Sequence, residues 1–189
     1  IDRSLVGSEM CIRDRYGNQL TKIAEKNKVN LEYEAAVCGG IPIIRSIKDG
    51  LITNEINKVY GIFNGTTNFI LSSMDFDKLN FESALKKAQS LGYAERNPKA
   101  DLAGLDVADK LRILSALCFN SVIDYKNIHI EGINNIDQFD VQYANQLGYK
   151  IKLLGLAERN NKFIVQKVFP ALLKNNSNTA KINGVLNNV

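Results

Sequence analysis

Apolar residues recur at helical spacing in several stretches of the chain. In NFESALKKAQSLGY (80–93) they form one face, and Gly92 follows where a helix would end. The longest such stretch, LAGLDVADKLRILSALCFN (102–120), carries its leucines and alanines on one side and should be a core helix. Shorter amphipathic stretches predict helices over 16–29, 43–49, 66–74 and 137–149.

Other stretches have the alternating or β-branched character of strands. They cover residues 30–37, 54–63, 127–133, 151–159 and 162–170. The letters RNN between the last two suit a hairpin. Because strands and helices interleave, the sequence predicts an α+β fold, an α/β-type mixed sheet with helices packed on it.

Local signals predict where two of the helices begin. Asn64-Gly65 should form a turn, with Thr66 or Thr67 as N-cap of the helix that follows. Pro98 disfavours helical geometry in the residue before it, so Asp101 falls where an N-cap acceptor would lie.

The first fifteen residues, IDRSLVGSEMCIRDR, have neither helical nor strand periodicity. They resemble the translated sequencing-adapter stretches found at the ends of conceptual proteins. We therefore expect residues 1–15 to be an adapter-derived or disordered segment, and residues 16–189 to form the folded domain.

Composition narrows the class of protein. The chain has 189 residues, 45% of them hydrophobic, enough for one sizeable core. No apolar run approaches the roughly 20 residues of a membrane-spanning helix, and no stretch resembles a secretory signal, so we expect a cytoplasmic protein without a membrane partner. The net charge of +4 comes from scattered lysines without a basic block, which argues against nucleic-acid binding.

The residue types usually found in metal and nucleophilic sites are few. Cys11, Cys38 and Cys118 lie far apart without C-x-x-C spacing, which supports neither a disulfide framework nor a zinc site. The simplest interpretation is that they are buried thiols. The one histidine, His129, falls in a predicted strand and is more typical of a structural residue. Neither G-x-G-x-x-G nor G-x-x-x-x-G-K-[ST] occurs. Acid/base chemistry is therefore expected from carboxylates, lysines or tyrosines.

The segment GYAERNPKADLAGLDVADK (92–110) concentrates acids beside a lysine. Asp106 and Lys110 are four residues apart and would pair on one helix face. Glu95 could converge with Asp101 near a helix N-terminus, a combination that suits a zwitterion, with acids for its ammonium and amides for its oxygens. The residues alone leave two interpretations open, a solvated helix start and a binding site.

The same segment resembles the signature of homoserine dehydrogenases, in which asparagine-proline is followed by D-[LIVM]-x-G-x-D-x-x-x-K. Two further stretches, YEAAVCGGIPII (33–44) and GIFNGTTNFIL (61–71), also resemble this family. The residues that match the signature are Ala88, Gly92, Tyr93, Ala94, Asn97, Pro98, Asp101, Leu102, Gly104, Asp106 and Lys110.

The resemblance implies NAD(P)-dependent interconversion of L-homoserine and L-aspartate 4-semialdehyde, a step towards threonine, methionine and isoleucine. At the matched positions, Lys110 would move the proton on the C4 oxygen, and Asp106 would hold that lysine in place. The residues implied in substrate binding are Glu95, Asp101, Tyr93, Gly65 and Thr66.

The resemblance also implies a cofactor and a metal ion. Gly92 matches a position beside the cofactor, which would be NADP or NAD. Glu34 and the backbone carbonyls of Val37, Gly39 and Ile41 match a monovalent-cation site, usually sodium. The alternative for this stretch is an ordinary Gly-Gly turn.

In the family, a dinucleotide-binding domain precedes this region, and it is absent from the sequence. The resemblance therefore predicts a fragment of a homodimeric enzyme, truncated at both ends and inactive alone. Two alternatives stay open: a non-catalytic dimerisation or amino-acid-binding module of the same fold, and an oxidoreductase for another amino-acid aldehyde.

Overall fold

The sheet of the protein is mixed. The computed structural model describes residues 10–29, 31–121, 126–160 and 163–189. The strands are β1 (Lys58–Gly61), β2 (His129–Ile130), β3 (Tyr149–Asn160) and β4 (Phe163–Lys174), in the spatial order β1-β3-β4-β2. β3 runs antiparallel to β1 and β4, whereas β2 runs parallel to β4. The predicted α+β class, with helices on a mixed sheet, is confirmed.

The two long strands form the predicted hairpin. β3 and β4 pair in continuous register from Tyr149 opposite Lys174 to Asn160 opposite Phe163. Alternation along the strands gives the sheet two faces. One face, with Leu153, Ala157 and Val168, is buried in the main core. The opposite face carries the exposed side chains of Tyr60 and Val165.

Helices cover the buried face, and α6 (Leu105–Phe119) packs against both β3 and β4. The α6 residues Leu111 and Leu114 are fully buried there, as the helical periodicity predicts. A three-residue α-helix, α2 (Ile43–Arg45), continues directly into a π-helical turn (Ser46–Gly50). The helices are α1 (Met10–Lys26), α2 (Ile43–Arg45), α3 (Gly65–Phe76), α4 (Phe81–Ser90), α5 (Lys99–Leu102), α6 (Leu105–Phe119) and α7 (Gln138–Gln146).

Polar side chains cap several helix starts. Asn80 accepts a hydrogen bond from the Ser83 amide at the start of α4, and Asp137 forms a capping box at α7. The cap of α3 is Asn64, whose side chain accepts from the Thr67 amide, so the prediction of Thr66 or Thr67 as N-cap is wrong. Asparagine is as good a cap as threonine, and this one begins the helix two residues earlier.

The long helix predicted from residue 102 is two helices. Gly104 has φ +80°, a left-handed angle that glycine adopts without steric cost, and it ends α5 and begins α6. Asp101 therefore lies inside α5 and caps nothing, so its predicted N-cap role is wrong. The break turns Asp101 and Asp106 towards the same region of the fold, where both contact one asparagine.

Two other sequence predictions are corrected. Residues 30–37 were expected as a strand, but a 3₁₀ helix (Glu34–Ala36) and a turn lie there, with no ladder to any strand in the described part of the chain. An alternating residue pattern is compatible with a strand, but it does not provide the neighbouring strand with which the backbone would have to pair. Helix α1 begins at Met10, so the prediction of disorder is wrong for residues 10–15. These residues contain no proline or glycine that would stop a helix. Residues 1–9 lie outside the described residues.

The C-terminal segment, residues 182–188, is tied to the sheet and to α3. Lys152, only 2% exposed, donates to Asn68 Oδ1 (2.9 Å), to Asn183 Oδ1 (3.1 Å) and to the Ile182 carbonyl. Asn68 in turn donates to the Leu186 carbonyl (3.0 Å). These polar contacts fix the segment across the N-terminal half of α3.

No helix within the described ranges is long and apolar enough to span a bilayer.

Candidate active site

A cavity of about 490 Å³ lies where the start of α3, the loop after α4 and the α5–α6 break meet. All eight residues assigned by resemblance to substrate, cofactor or catalysis line it. The lining residues are Asn64, Gly65, Thr66, Gly92, Tyr93, Ala94, Glu95, Asp101, Asp106, Lys110 and Val185. Residues far apart in sequence therefore meet around one space large enough for a small ligand.

Lys110 presents a fixed ammonium to this cavity. Its Nζ lies 2.7 Å from Asp106 Oδ2 and donates to the carbonyl of Phe63 at 2.9 Å. The lysine side chain is only 13% exposed and the Asp106 side chain 22%. An ammonium has three N–H donors, and these two contacts leave one for a ligand oxygen. The geometry thus suits a lysine that donates a proton or a hydrogen bond.

Asn64 connects the two acids of the site. It is 5% exposed, and its Nδ2 donates to Asp101 Oδ1 at 2.7 Å and to Asp106 Oδ2 at 2.8 Å. The motif assigned no role to this residue. The sequence signal that could have found it is a cap signal, an asparagine directly before the helix GTTNFIL.

Burial raises the pKa of the Asp101 carboxyl above its usual value. The Asn64 hydrogen bond opposes this shift, nearby Asp106 adds to it, Lys110 opposes it, and Glu95 adds to it. A cation in the cavity would relieve the repulsion among these carboxylates. Acids that crowd one cavity wall favour a positively charged ligand group.

The loop after α4 supplies the opposite wall. Thr66 Oγ1 donates to the Tyr93 carbonyl at 2.6 Å, which joins this loop to the start of α3. The Tyr93 ring packs against Phe69 with 5.0 Å between centroids. Glu95 is exposed, and its backbone carbonyl accepts from Gln89. The Glu95 carboxylate is therefore carried on a loop whose backbone is held at both Tyr93 and Glu95.

Gly92 lies at the rim of the cavity with φ +76°. A Cβ placed on it would meet no atom within 4 Å. The space beside this backbone is therefore open, and a flat ring could approach it closely. That observation fits the predicted place of Gly92 next to a cofactor.

The predicted cation-binding residues lie in a separate loop before α2. Both oxygens of Glu34 accept backbone hydrogen bonds, from the amides of Ile44 (2.8 Å) and Arg45 (2.9 Å). The Ile41 carbonyl accepts from the Ile43 amide. The donor set consists of hard oxygens, as an alkali cation requires, and Glu34 is held firmly in this loop.

Among the residues that the structure describes, Cys38, Cys118 and His129 are not part of the cavity lining. Burial raises the pKa of the Cys38 thiol to about 12, with Lys110 opposing and Asp106 adding to the shift. Cys118 is half-buried, and burial raises its pKa to about 11. His129 lies on β2, exposed and outside the cavity.

Val185 is the lining residue that no sequence signal indicates. It belongs to the C-terminal segment, whose position depends on Lys152 and Asn68. Its backbone carbonyl would lie 2.6 Å from a Cβ added to Gly65, so the two backbones touch. Gly65 is thus required for this close approach.

Known proteins match the chain closely. A family model described as homoserine dehydrogenase matches residues 42–189. A homoserine dehydrogenase of Neisseria gonorrhoeae is 44% identical over 174 residues, which make up 92% of this chain and 40% of that protein. The crystal structure of a homoserine dehydrogenase from Thiobacillus denitrificans superposes with a TM-score of 0.91 at 43% identity, covering 94% of this chain and 41% of the other.

A more distant structure shares the fold. It is a hyperthermophilic archaeal homoserine dehydrogenase in complex with NADPH, with a TM-score of 0.76 and 23% identity over 93% of this chain and 50% of that one. The chain spans about 40% of the length of the curated relatives it matches.

Proposed function

Because the chain belongs to the homoserine dehydrogenase family, we propose that it forms the substrate-binding and proton-transfer part of an enzyme that interconverts L-homoserine and L-aspartate 4-semialdehyde. The observation that carries this proposal is the Lys110 ammonium, held 2.7 Å from Asp106 at the wall of the cavity. A lysine in this position can donate a proton to the oxygen of a carbonyl or accept one from an alcohol.

The acids of the cavity would hold the amino group of the substrate. Asp101 and Glu95 offer carboxylates to an ammonium, and the first turn of α3 offers amides to a carboxylate. The lining of the cavity thus suits an amino acid with a short side chain. The same two acids would accept other zwitterions, so the position of Lys110 determines which side-chain oxygen reacts.

Lys110 would act on the C4 oxygen. In the reducing direction it donates a proton to the oxygen as the aldehyde becomes an alcohol, and in the oxidising direction it takes that proton back. Asp106 stabilises the ammonium and fixes its direction through their hydrogen bond. The Phe63 carbonyl holds the lysine from a second side.

The cofactor would be NADP or NAD, which supplies or accepts the hydride when bound. Gly92 would allow its nicotinamide ring to approach the cavity, since no atom occupies the space beside this residue. The archaeal protein that shares this fold binds NADPH. The fit of Gly92 and this shared fold support the proposal.

Glu34 and the carbonyls of Val37, Gly39 and Ile41 would bind a monovalent cation such as sodium. The oxygen-only donor set and the firmly held Glu34 carboxylate support this role. Thermal melts in sodium and in tetramethylammonium chloride test it. Equal melting temperatures for wild type and Glu34→Gln in both salts would exclude a cation with a structural role.

We also propose a homodimer formed through the outer face of the sheet. Tyr60 and Val165 are exposed there, 46% and 39%, and Leu156 lies directly opposite Tyr60. A second copy of the chain would cover this apolar surface. Sedimentation of wild type and a Tyr60→Lys variant tests this: a monomeric wild type contradicts the proposal.

The catalytic proposal is tested with Lys110→Ala in the enzyme of which this chain is proposed to form a part. General acid/base groups contribute roughly 10²- to 10⁴-fold to rate, so kcat for homoserine oxidation should fall by about that factor. Lys87→Ala is the matched control, because Lys87 forms an equally short pair with Asp77, 2.7 Å, and neither residue lines the cavity. Unchanged turnover in Lys110→Ala would remove this lysine from the mechanism.

A further inference from the structure

Asn64 is engaged at both ends of its side-chain amide. Its Oδ1 accepts from the backbone N–H of Thr67 (2.8 Å) and from Thr67 Oγ1 (3.0 Å). A backbone N–H can only donate, so the amide oxygen must face α3 and the nitrogen must face the acids. The orientation of the amide is therefore fixed by the cap of the helix.

The two N–H groups of Asn64 are divided between two carboxylates. One reaches Asp101 in α5 and the other reaches Asp106 in α6, across the left-handed break at Gly104. Asp106 Oδ2 accepts from both Asn64 and Lys110, so the amide is one contact away from the ammonium. Within the described ranges, this is the one side chain that bonds both acids.

We infer that Asn64 is a positioning residue of the active site, which holds the ammonium-binding Asp101 and the Asp106–Lys110 pair in one geometry by tying both to the start of α3. This inference rests on the proposed function and deepens it. Two carboxylates on one cavity wall repel each other, and a shared donor holds them at a fixed spacing. Substrate binding and proton transfer then depend on one amide.

The test uses Asn64→Ser and Asn64→Asp in the full-length protein. Serine and aspartate both keep a cap acceptor for α3, but neither can donate to the two acids together. Asn80→Ser is the matched control, since Asn80 caps α4 in the same way through the Ser83 amide and does not line the cavity. Rates are expressed per folded molecule, measured by circular dichroism.

A buried hydrogen bond to a charged group is worth roughly ten- to hundredfold in an equilibrium or rate. For Asn64→Ser we expect a loss of at least about tenfold in kcat/KM for homoserine, with kcat lowered and KM raised together. Asn64→Asp places a third carboxylate beside the other two, so the acidic limb of its kcat/KM profile should move to higher pH. Asn80→Ser should leave kcat, KM and the pH limb unchanged.

A purely structural role predicts a different outcome. If Asn64 only caps α3, both variants, which keep a cap acceptor, retain wild-type kcat, KM and pH profile per folded molecule, and that result would overturn the inference. A wild type that is active and sensitive to Lys110→Ala, with indifferent Asn64 variants, overturns this inference alone. A wild type that does not oxidise homoserine overturns the proposed function, and this inference with it.

Discussion

Lys152 should make the stability of the protein rise with pH above neutrality. Burial lowers the pKa of its ammonium to about 8 from an ordinary value of 10.5, with nearby Lys150 adding to the shift and Asp75 opposing it. Between these two values the unfolded chain holds a proton that the folded protein has released. The contribution of Lys152 to the free energy of unfolding therefore increases with pH in this window, and it is constant below it.

The size of the effect follows from the two pKa values. Each pH unit inside the window contributes up to about 1.4 kcal/mol, so the Lys152 contribution should rise by about 2 kcal/mol between about pH 7 and pH 9.5. The raised pKa values of Cys38 and Cys118 act in the opposite direction over this range, so the Lys152 effect is the difference between wild type and variant. Lys152→Met removes the titrating group and should abolish this rise. Urea unfolding followed by circular dichroism at several pH values measures both curves.

Lys174→Met serves as control, because Lys174 is an exposed lysine on the neighbouring strand β4 and alternates onto the face opposite to the proposed dimer surface. This variant should keep the wild-type rise. Parallel stability curves for wild type and Lys152→Met would refute the reasoning, since they would mean that the buried ammonium keeps its ordinary pKa in the folded protein.

Two glycine substitutions should differ sharply although the chemical change is the same. In Gly92→Ala the new Cβ meets open space, so only the left-handed backbone angle costs stability, about 1–2 kcal/mol. The KM for NADP or NAD should rise in this variant. An unchanged KM would remove Gly92 from the cofactor site. In Gly132→Ala the Cβ would lie 2.0 Å from the Leu102 carbonyl, and we expect a loss of about 3 kcal/mol. Urea unfolding compares the two, and equal losses would contradict the close approach at Gly132.

The periodic elements of this chain were predictable from sequence, because their signals are local. The apolar stripe of α6 and the alternation of β3 and β4 lead directly to the observed elements. Asp101 shows the limit of local signals. Its position after a proline suggested a helix cap, but its carboxylate bonds Asn64, 37 residues earlier. Local reasoning cannot anticipate that partner.

Part of the candidate site was likewise predictable from the sequence, and part was not. The family resemblance assigned roles to eight residues that surround one cavity, and these roles stay predictions. Asn64 carried a readable cap signal, but nothing in its neighbourhood indicated the two acids. Val185 carried no signal, because it reaches the cavity only through the buried contacts of Lys152 and Asn68.

The C-terminal segment determines when a refolding chain acquires its site. The Lys110–Asp106 pair spans one turn of α6 and can form with the helix. The wall at Val185 depends on contacts such as Asn68 to Leu186, which close a loop of 118 positions, and long loops close late in folding. A folding chain would thus form the Lys110–Asp106 pair before the cavity wall at Val185 is in place, and ligand binding in the cavity should appear late in folding.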